Sequence, residues 1–125
     1  MAKEAMTSKY WLNLGDDGIL RVKIKEDCSV DIDDIQLFYE AYERLTEGKI
    51  VPWLLVASTE YSISRDAQEF GASQSHRRLG MAIVTESTWN KLLINTYSRI
   101  IRPKSPLLVF TDEAEAIAWL KLFLK

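Results

Sequence analysis

Apolar and polar residues alternate near the start of the chain. In the segment 19–25, apolar residues alternate with Arg21, Lys23 and Lys25. This period of two indicates a β-strand with one covered and one solvated face. Another apolar segment, 10–14, precedes it across a short turn that contains Asp-Gly, and this arrangement is typical of a β-hairpin. We therefore predict an antiparallel hairpin over 10–14 and 19–25.

The next segment, 31–47, has the apolar spacing of an amphipathic helix. Asp31 is suited to cap its start, and the acidic residues that follow complement the positive end of the helix dipole. Gly48 is suited to the left-handed position just past the helix end. The apolar residues that share one side, within roughly 120° of a helical wheel, are Ile35, Phe38, Tyr39, Tyr42 and Leu45. We predict a helix that packs against the sheet through this stripe.

Beyond residue 50 the apolar runs no longer alternate, which suits strands that are covered on both faces. These runs lie at 51–57, 81–84 and 107–110, and helical segments follow them at 64–76, 87–102 and 111–124. Consecutive βα units imply parallel strands with right-handed crossovers. We predict an α/β fold with a mixed sheet and the element order β-β-α-β-α-β-α-β-α. It forms a single domain over 1–125, with its core at about 9–124.

Composition supports one folded domain and narrows the classes of function. Apolar residues make up 47% of the 125 residues, so a sizeable core can form. The net charge of −2 is close to neutral, so the protein as a whole has no field that would gather nucleic acid or membrane lipid. The first residues lack the apolar stretch of a secretory signal, and the longest apolar run is far shorter than the roughly 20 residues of a membrane helix. We therefore expect a cytoplasmic protein that binds no nucleic acid and does not insert into a membrane.

Residues that carry chemistry are sparse. The five glycines do not cluster between a strand and a helix, as a phosphate-binding loop requires. The segment 71–75 resembles a nucleophile elbow, but its last glycine is missing and it lies inside a predicted helix. A single cysteine, Cys28, excludes an internal disulfide, and with one histidine, His76, it does not supply the ligands of a conventional zinc site. We therefore expect no catalytic residue, metal or cofactor, and hence no enzyme.

Charge is divided unevenly along the chain. Residues 1–48 contain 6 basic and 11 acidic side chains, whereas residues 49–110 contain 8 basic and 4 acidic ones. Parallel βα units bring their helix ends to one edge of the sheet, where basic residues could hold an anion or an acidic partner. The candidate residues for this patch are His76, Arg77, Arg78, Arg99 and Arg102. The alternative is that these cations only complement the negative ends of the helix dipoles.

The predicted helix 87–102 has a wide apolar surface. Its apolar residues span roughly 200° of the circumference, whereas contact with a single core requires roughly 100°. We therefore expect a homodimer with Ile94 or Ile101 at its centre. The alternative is that other parts of the same chain cover these residues.

Two segments carry a resemblance to a known superfamily. The first is Trp-Leu-Leu-Val-Ala at 53–57 followed by Ser-Ile-Ser-Arg-Asp-Ala at 62–67, and the second is 108–116 running into Trp119 and Leu120. Together with the element order, they resemble the STAS or SpoIIAA-like superfamily. The likeness covers about 9–124 and is closer to small uncharacterised bacterial members, which are sometimes linked to lipid-binding CRAL-TRIO-like domains. It implies a SpoIIAA-like fold and a non-enzymatic regulatory module similar to bacterial anti-sigma-factor antagonists. It also implies a protein partner of the anti-sigma or kinase-like kind.

The resemblance further implies a docking site at the start of the helix that follows the central strand, with a phosphorylatable serine there. By position, Ser64 or alternatively Ser62 matches that serine. The family's Asp-Ser-Ser/Thr-Gly signature is absent, and Arg65 and Asp66 follow Ser64 where a small residue and a glycine are expected. Hydroxyl groups at this edge are also ordinary helix caps. Ser62, Ser64 and Arg65 are the candidate partner-binding residues.

A small apolar ligand or a lipid is the alternative to a protein partner. Such a function requires an enclosed cavity lined by side chains such as Phe38, Tyr42, Phe70 and Trp119. The leading hypothesis is the protein-interaction module that the resemblance implies. An enzyme ranks third, because the sequence contains no nucleophile–base pair, metal-ligand set or cofactor-binding loop.

Overall fold

The computed structural model describes residues 3–6, 9–25, 28–56, 61–85 and 105–124. The strands in this part of the chain are β1 (Lys3–Met6), β2 (Tyr10–Leu14), β3 (Leu20–Ile24), β4 (Cys28–Val30), β5 (Trp53–Val56), β6 (Tyr61–Ile63), β7 (Met81–Val84) and β8 (Leu107–Phe110). The α-helices are α1 (Ile32–Thr46), α2 (Arg65–Ser73) and α3 (Glu113–Lys121), and 3-10 turns cover Ser75–Arg77 and Leu122–Leu124. The predicted helix 87–102 lies outside the described residues.

Six of the described strands form one mixed sheet in the order β1-β2-β3-β5-β7-β8. The pairs β1–β2 and β2–β3 are antiparallel, and the pairs β3–β5, β5–β7 and β7–β8 are parallel. The parallel part follows from the helices that connect successive strands, because a crossover returns the chain to the same end of the sheet. This sheet confirms the predicted α/β fold with a hairpin beside a parallel region.

Three short strands are absent from the predicted element order. β1 extends the hairpin by one antiparallel strand, whereas β4 and β6 pair with each other in parallel as a separate ladder. These segments are too short to display the period of two that distinguishes a strand in the sequence, and unlike β5, β7 and β8 they are not continuous apolar runs. Among the described residues they add to the predicted order without rearranging it.

The ends of α1 agree with the residues that predict them. The backbone N–H of Asp31, the residue before the helix, donates a hydrogen bond to Asp34 Oδ2 at 2.9 Å. At the other end, Glu47 and Gly48 both have a left-handed backbone, with φ of 55° and 81°. The N–H of Gly48 donates to the carbonyl of Glu43 at 3.1 Å, which closes the last turn.

The sheet separates two cores. On the α1-side core, Trp53 packs against the rings of Phe38 and Tyr42 with centroid separations of 5.0 and 4.9 Å. On the α3-side core, the buried residues are Ile19, Leu54, Ala82, Ala116 and Leu120. Consecutive residues of a strand point to opposite faces, so Trp53 and Leu54 belong to different cores. Both faces of β5 are therefore covered, as its apolar run predicts.

Candidate functional site

The ladder of β4 and β6 brings the starts of α1 and α2 together. Val30 pairs with Ile63 in this ladder, and each strand leads directly into its helix. The N–H of Ser64 donates to the carbonyl of Val30 at 2.9 Å and extends the ladder by one bond. The two helices therefore begin side by side at one edge of the fold.

Ser64 is the N-cap of α2. Its backbone is extended, with φ of −63° and ψ of 156°, and its Oγ accepts a hydrogen bond from the N–H of Ala67 at 3.2 Å. The residue is half-buried. A negative charge at this position would lie at the positive end of the helix dipole, where it is favoured. The other candidate serine, Ser62, lies in β6 opposite Ser29.

Arg65 begins α2 and extends into solvent. Its side chain is 81% exposed and forms an ion pair with Glu69 one turn later, with 3.0 Å between Nε and Oε1. Such an exposed pair contributes about 0.5 kcal/mol or less to stability, so Arg65 is available for contact with a partner.

We call the exposed and half-exposed residues around the two helix starts the helix-start surface. It consists of Asp31, Asp33, Ser64, Arg65, Asp66 and Glu69. Four of these side chains are carboxylates and one is a guanidinium, so the surface has a net charge of −3. It is therefore complementary to a basic partner rather than to an acidic one.

Lys9 joins the hairpin to this surface. Its Nζ lies 2.8 Å from Asp34 Oδ2 and also donates to the carbonyl of Ser29 at 2.6 Å. The hydrogen bond from the Asp31 N–H, with a smaller effect from Lys9, lowers the pKa of Asp34 below its ordinary value. Sequence reasoning missed Lys9, because a contact over 25 residues leaves no local signal. The result is a start of α1 that is held from two directions.

Of the three basic residues after α2, His76 and Arg77 line one open groove, whereas Arg78 is buried. His76 is exposed in the 3-10 turn, and Arg77 lies over the Tyr39 ring at 4.8 Å with its Nη2 3.6 Å from Glu43 Oε2. Arg78 is only 6% exposed and lies over the Trp53 ring at 5.1 Å. The expectation that Arg78 belongs to an open anion-binding patch is therefore wrong.

The reason for this burial is the path of the chain. After the 3-10 turn, the N–H of Leu79 donates to the carbonyl of Val51, so the chain returns to the sheet at this point. The side chain of Arg78 is thereby carried beneath α1, where its Nη1 donates to Tyr39 Oη at 3.3 Å. Burial raises the pKa of Tyr39 above its ordinary value.

An open groove of about 210 Å³ lies between the end of α1 and the 3-10 turn. Its lining includes Glu43, the cations Lys49 and Arg77, and His76, so two members of the predicted basic patch lie together here. Since Glu43 is paired with Arg77, the charge of the groove is mixed. Arg99 and Arg102, the other members of the predicted basic patch, lie outside the described residues, as do Ile94 and Ile101 of the predicted dimer centre.

The four aromatic residues expected to line a lipid cavity lie in different parts of the fold. Phe38 and Tyr42 are buried in the α1-side core, and Phe70 of α2 packs against it. Trp119 packs against the α3-side core, across the sheet from the other three. These residues therefore do not surround one cavity, and that expectation is wrong.

Two features are absent from the described residues, a metal-binding cluster and a membrane-spanning helix. No group of three or more His, Cys, Asp and Glu side chains in this part of the chain is arranged to hold a metal ion. No helix among these residues is long and apolar enough to cross a membrane.

Comparison with known proteins identifies the family of this chain. Residues 10–124 match the family model described as a domain of unknown function, DUF7793. The chain belongs to the DUF7793 family. None of the curated proteins compared with this DUF7793 domain matches it.

A solved structure supports the fold. The domain is similar to an uncharacterised protein of the DUF3478 family from Shewanella loihica PV-4, described as having a SpoIIAA-like fold. The TM-score is 0.64 at 18% sequence identity, and the alignment covers 96% of this chain and 92% of the other. The SpoIIAA-like fold implied by the sequence resemblance is therefore confirmed.

Proposed function

We propose that this DUF7793 domain is a non-enzymatic, cytoplasmic protein-interaction module with a regulatory role. The observation that carries the proposal is the position of Ser64, which caps α2 on the exposed helix-start surface of a SpoIIAA-like fold. In the anti-sigma-factor antagonists that the sequence resembles, docking is expected at this same point of the fold. A fold alone does not determine function, so the proposal depends on this surface.

The charge of the helix-start surface defines the kind of partner. Its carboxylates outnumber its cations, and Asp34 and Lys9 behind it neutralise each other. Complementary charge increases the rate of encounter and selects among partners. The proposed partner is therefore a protein with a basic docking surface, of the anti-sigma or kinase-like kind.

Negative charge at Ser64 is the proposed means of regulation. The Oγ of Ser64 already accepts the N–H of Ala67, and the oxygens of a phosphate can accept the same bond. Phosphorylation would thus leave α2 capped while adding charge of about −1.5 to −2 to a surface that is already acidic. The partner's affinity changes, and the fold does not.

Crosslinking in the native host tests the docking surface. A photoreactive amino acid replaces Arg65 in the full chain, and a control carries it at Lys121, which is exposed on α3. We expect one protein to crosslink specifically from position 65. Equal crosslinking from both positions, or none from position 65, would contradict the proposal.

The regulatory step has its own matched pair of variants. Purified partner is titrated with the wild type, with Ser64→Asp, and with Ser73→Asp at the exposed end of the same helix. We expect the dissociation constant to change by at least about tenfold for Ser64→Asp, which corresponds to roughly 1.4 kcal/mol, and much less for Ser73→Asp. Equal effects would show that position 64 has no special role.

A further inference from the structure

The two edges of the main sheet differ in charge. β1 forms one edge and contains Lys3 and Glu4, whereas β8 forms the other edge and contains no charged residue. The uncharged stretch continues on both sides of β8, from Ser105 to Thr111. Natural sheets commonly place charges on edge strands to prevent pairing with another chain. β8 lacks that protection, and no described strand pairs with its outer edge.

The hydrogen bonds to β7 show which backbone groups of β8 face outward. The carbonyls of Pro106 and Phe110 accept from the N–H groups of Met81 and Thr85. In a parallel pair, alternate residues of a strand bond to the same neighbour, so Leu108 belongs to this inward set. The N–H and C=O groups of Leu107 and Val109 therefore point away from β7.

The side chain of Leu108 lies between these two outward residues and is partly uncovered. Leu108 pairs with Ala82 of β7, which belongs to the α3-side core, yet Leu108 itself is 47% exposed. Contact with another apolar surface would remove this side chain from water, which is favourable.

We infer that two copies of this chain associate through β8, antiparallel, about a two-fold axis at Leu108. In this register Leu107 of each copy exchanges two hydrogen bonds with Val109 of the other, so every outward group of the strand is paired. Leu108 faces its own equivalent as a non-hydrogen-bonded pair, where side chains come closest. The absence of charge on β8 favours a second copy, because no like charges meet across the axis.

The association is measured by sedimentation equilibrium on the full chain, from about 1 µM to about 1 mM, the range of weak protein–protein contacts. Leu108→Glu places two carboxylates at the axis, and Val109→Pro removes an outward N–H without removing a bond to β7. The control is Leu37→Glu, because Leu37 on α1 is similarly exposed, at 54%. We expect a dimer for the wild type and the control, and a dissociation constant raised by at least about tenfold in both β8 variants.

Amide hydrogen exchange of the wild type gives a second readout that needs no substitution. The N–H of Val109 should become protected as the concentration rises, whereas that of Leu108, which faces β7, should not change. A wild type that stays monomeric at the highest concentration, a dimer with unprotected Val109, or a dimer unaffected by both substitutions would each overturn the inference. The helix-start surface is not part of this interface, so each proposal can fail alone.

Discussion

The two cores on either side of β5 are packed with different kinds of side chain. The α1-side core combines aliphatic side chains with a cluster of aromatic rings, and it includes the phenols of Tyr39 and Tyr42 and the guanidinium of Arg78. The α3-side core consists only of aliphatic and alanine side chains among its fully buried members. Polar atoms in a core must find partners in fixed directions, whereas aliphatic groups only need volume. We therefore expect substitutions in the α1-side core to destabilise the fold more than comparable substitutions in the α3-side core.

The largest expected loss of stability comes from two adjacent residues of β5 that lie in different cores. Trp53→Ala should lower the free energy of unfolding by about 3–5 kcal/mol, because it removes the ring around which the α1-side core packs. Leu54→Ala, on the opposite face, should cost less, about 2–4 kcal/mol. Urea unfolding of both variants checks the order, with exposed Leu37→Ala as a control that should change little. A larger loss for Leu54→Ala would reverse the comparison.

Nearly isosteric substitutions test specificity directly. Tyr42 Oη donates to the Arg77 carbonyl at 2.6 Å and accepts from the Val51 N–H at 3.2 Å. Tyr42→Phe keeps the ring but leaves both backbone groups without this partner, so we expect a loss of about 1–3 kcal/mol. Leu120→Met in the α3-side core should cost less than about 1.5 kcal/mol. Thermal unfolding of the pair distinguishes the two cores, and equal losses would contradict the distinction.

The N-terminal caps of α2 and α3 should contribute similar amounts to the free energy of unfolding. Ser64 Oγ caps α2, and Asp112 Oδ1 accepts from the Ala114 N–H at 2.9 Å to cap α3. Ser64→Ala and Asp112→Ala should each lower the free energy of unfolding by about 1 kcal/mol. Ser64→Asp should be close to neutral, because aspartate caps as well as serine does. Circular dichroism during urea titration measures all three, and an unfolded Ser64→Asp would contradict the capping account.

Lowering the pH should change the free energy of unfolding least of all, and it should act through both Asp17 and Asp34. Hydrogen bonds from Arg21 and from the Asp31 backbone lower the pKa values of Asp17 and Asp34, respectively, in the folded state. A lowered folded pKa contributes stability that is present above the unfolded value of about 3.9 and is lost as pH falls through the folded value.

We therefore expect the free energy of unfolding to fall as pH decreases below about 4, by about 1 kcal/mol or less for each of these partly exposed groups. Asp17→Asn and Asp34→Asn should each reduce that dependence. Titration of the carboxyl groups by NMR measures the two pKa values, and ordinary values for both would contradict the expectation.

Most of the fold could be predicted because its signals are local. The apolar runs 81–84 and 107–110 coincide with β7 and β8, since turn-forming residues bound them on both sides. The start of α2 at Ser64 follows from its capping hydroxyl. The ladder of β4 and β6 could not be predicted, because each strand has only three residues.

The candidate site was only partly predictable for a related reason. Ser64 and Arg65 lie where the sequence indicates, at an exposed helix start. Arg78 does not, because its burial depends on an aromatic cluster assembled from α1 and β5, and a basic residue in sequence usually indicates the surface. Long-range contacts of this kind determine whether a charged side chain is buried or exposed.

The 3-10 turn Leu122–Leu124 restricts which residues can occupy two distant positions. Phe123 occupies space beside Gly80 in which a Cβ would lie 2.8 Å from the ring, and Leu124 lies against the position of a Cβ on Gly18. A side chain at position 80 would therefore have to displace the Phe123 ring, and one at position 18 would meet Leu124 from a left-handed backbone, with φ of 85°. Glycine is thus required at two positions that are distant in sequence from the turn that demands it.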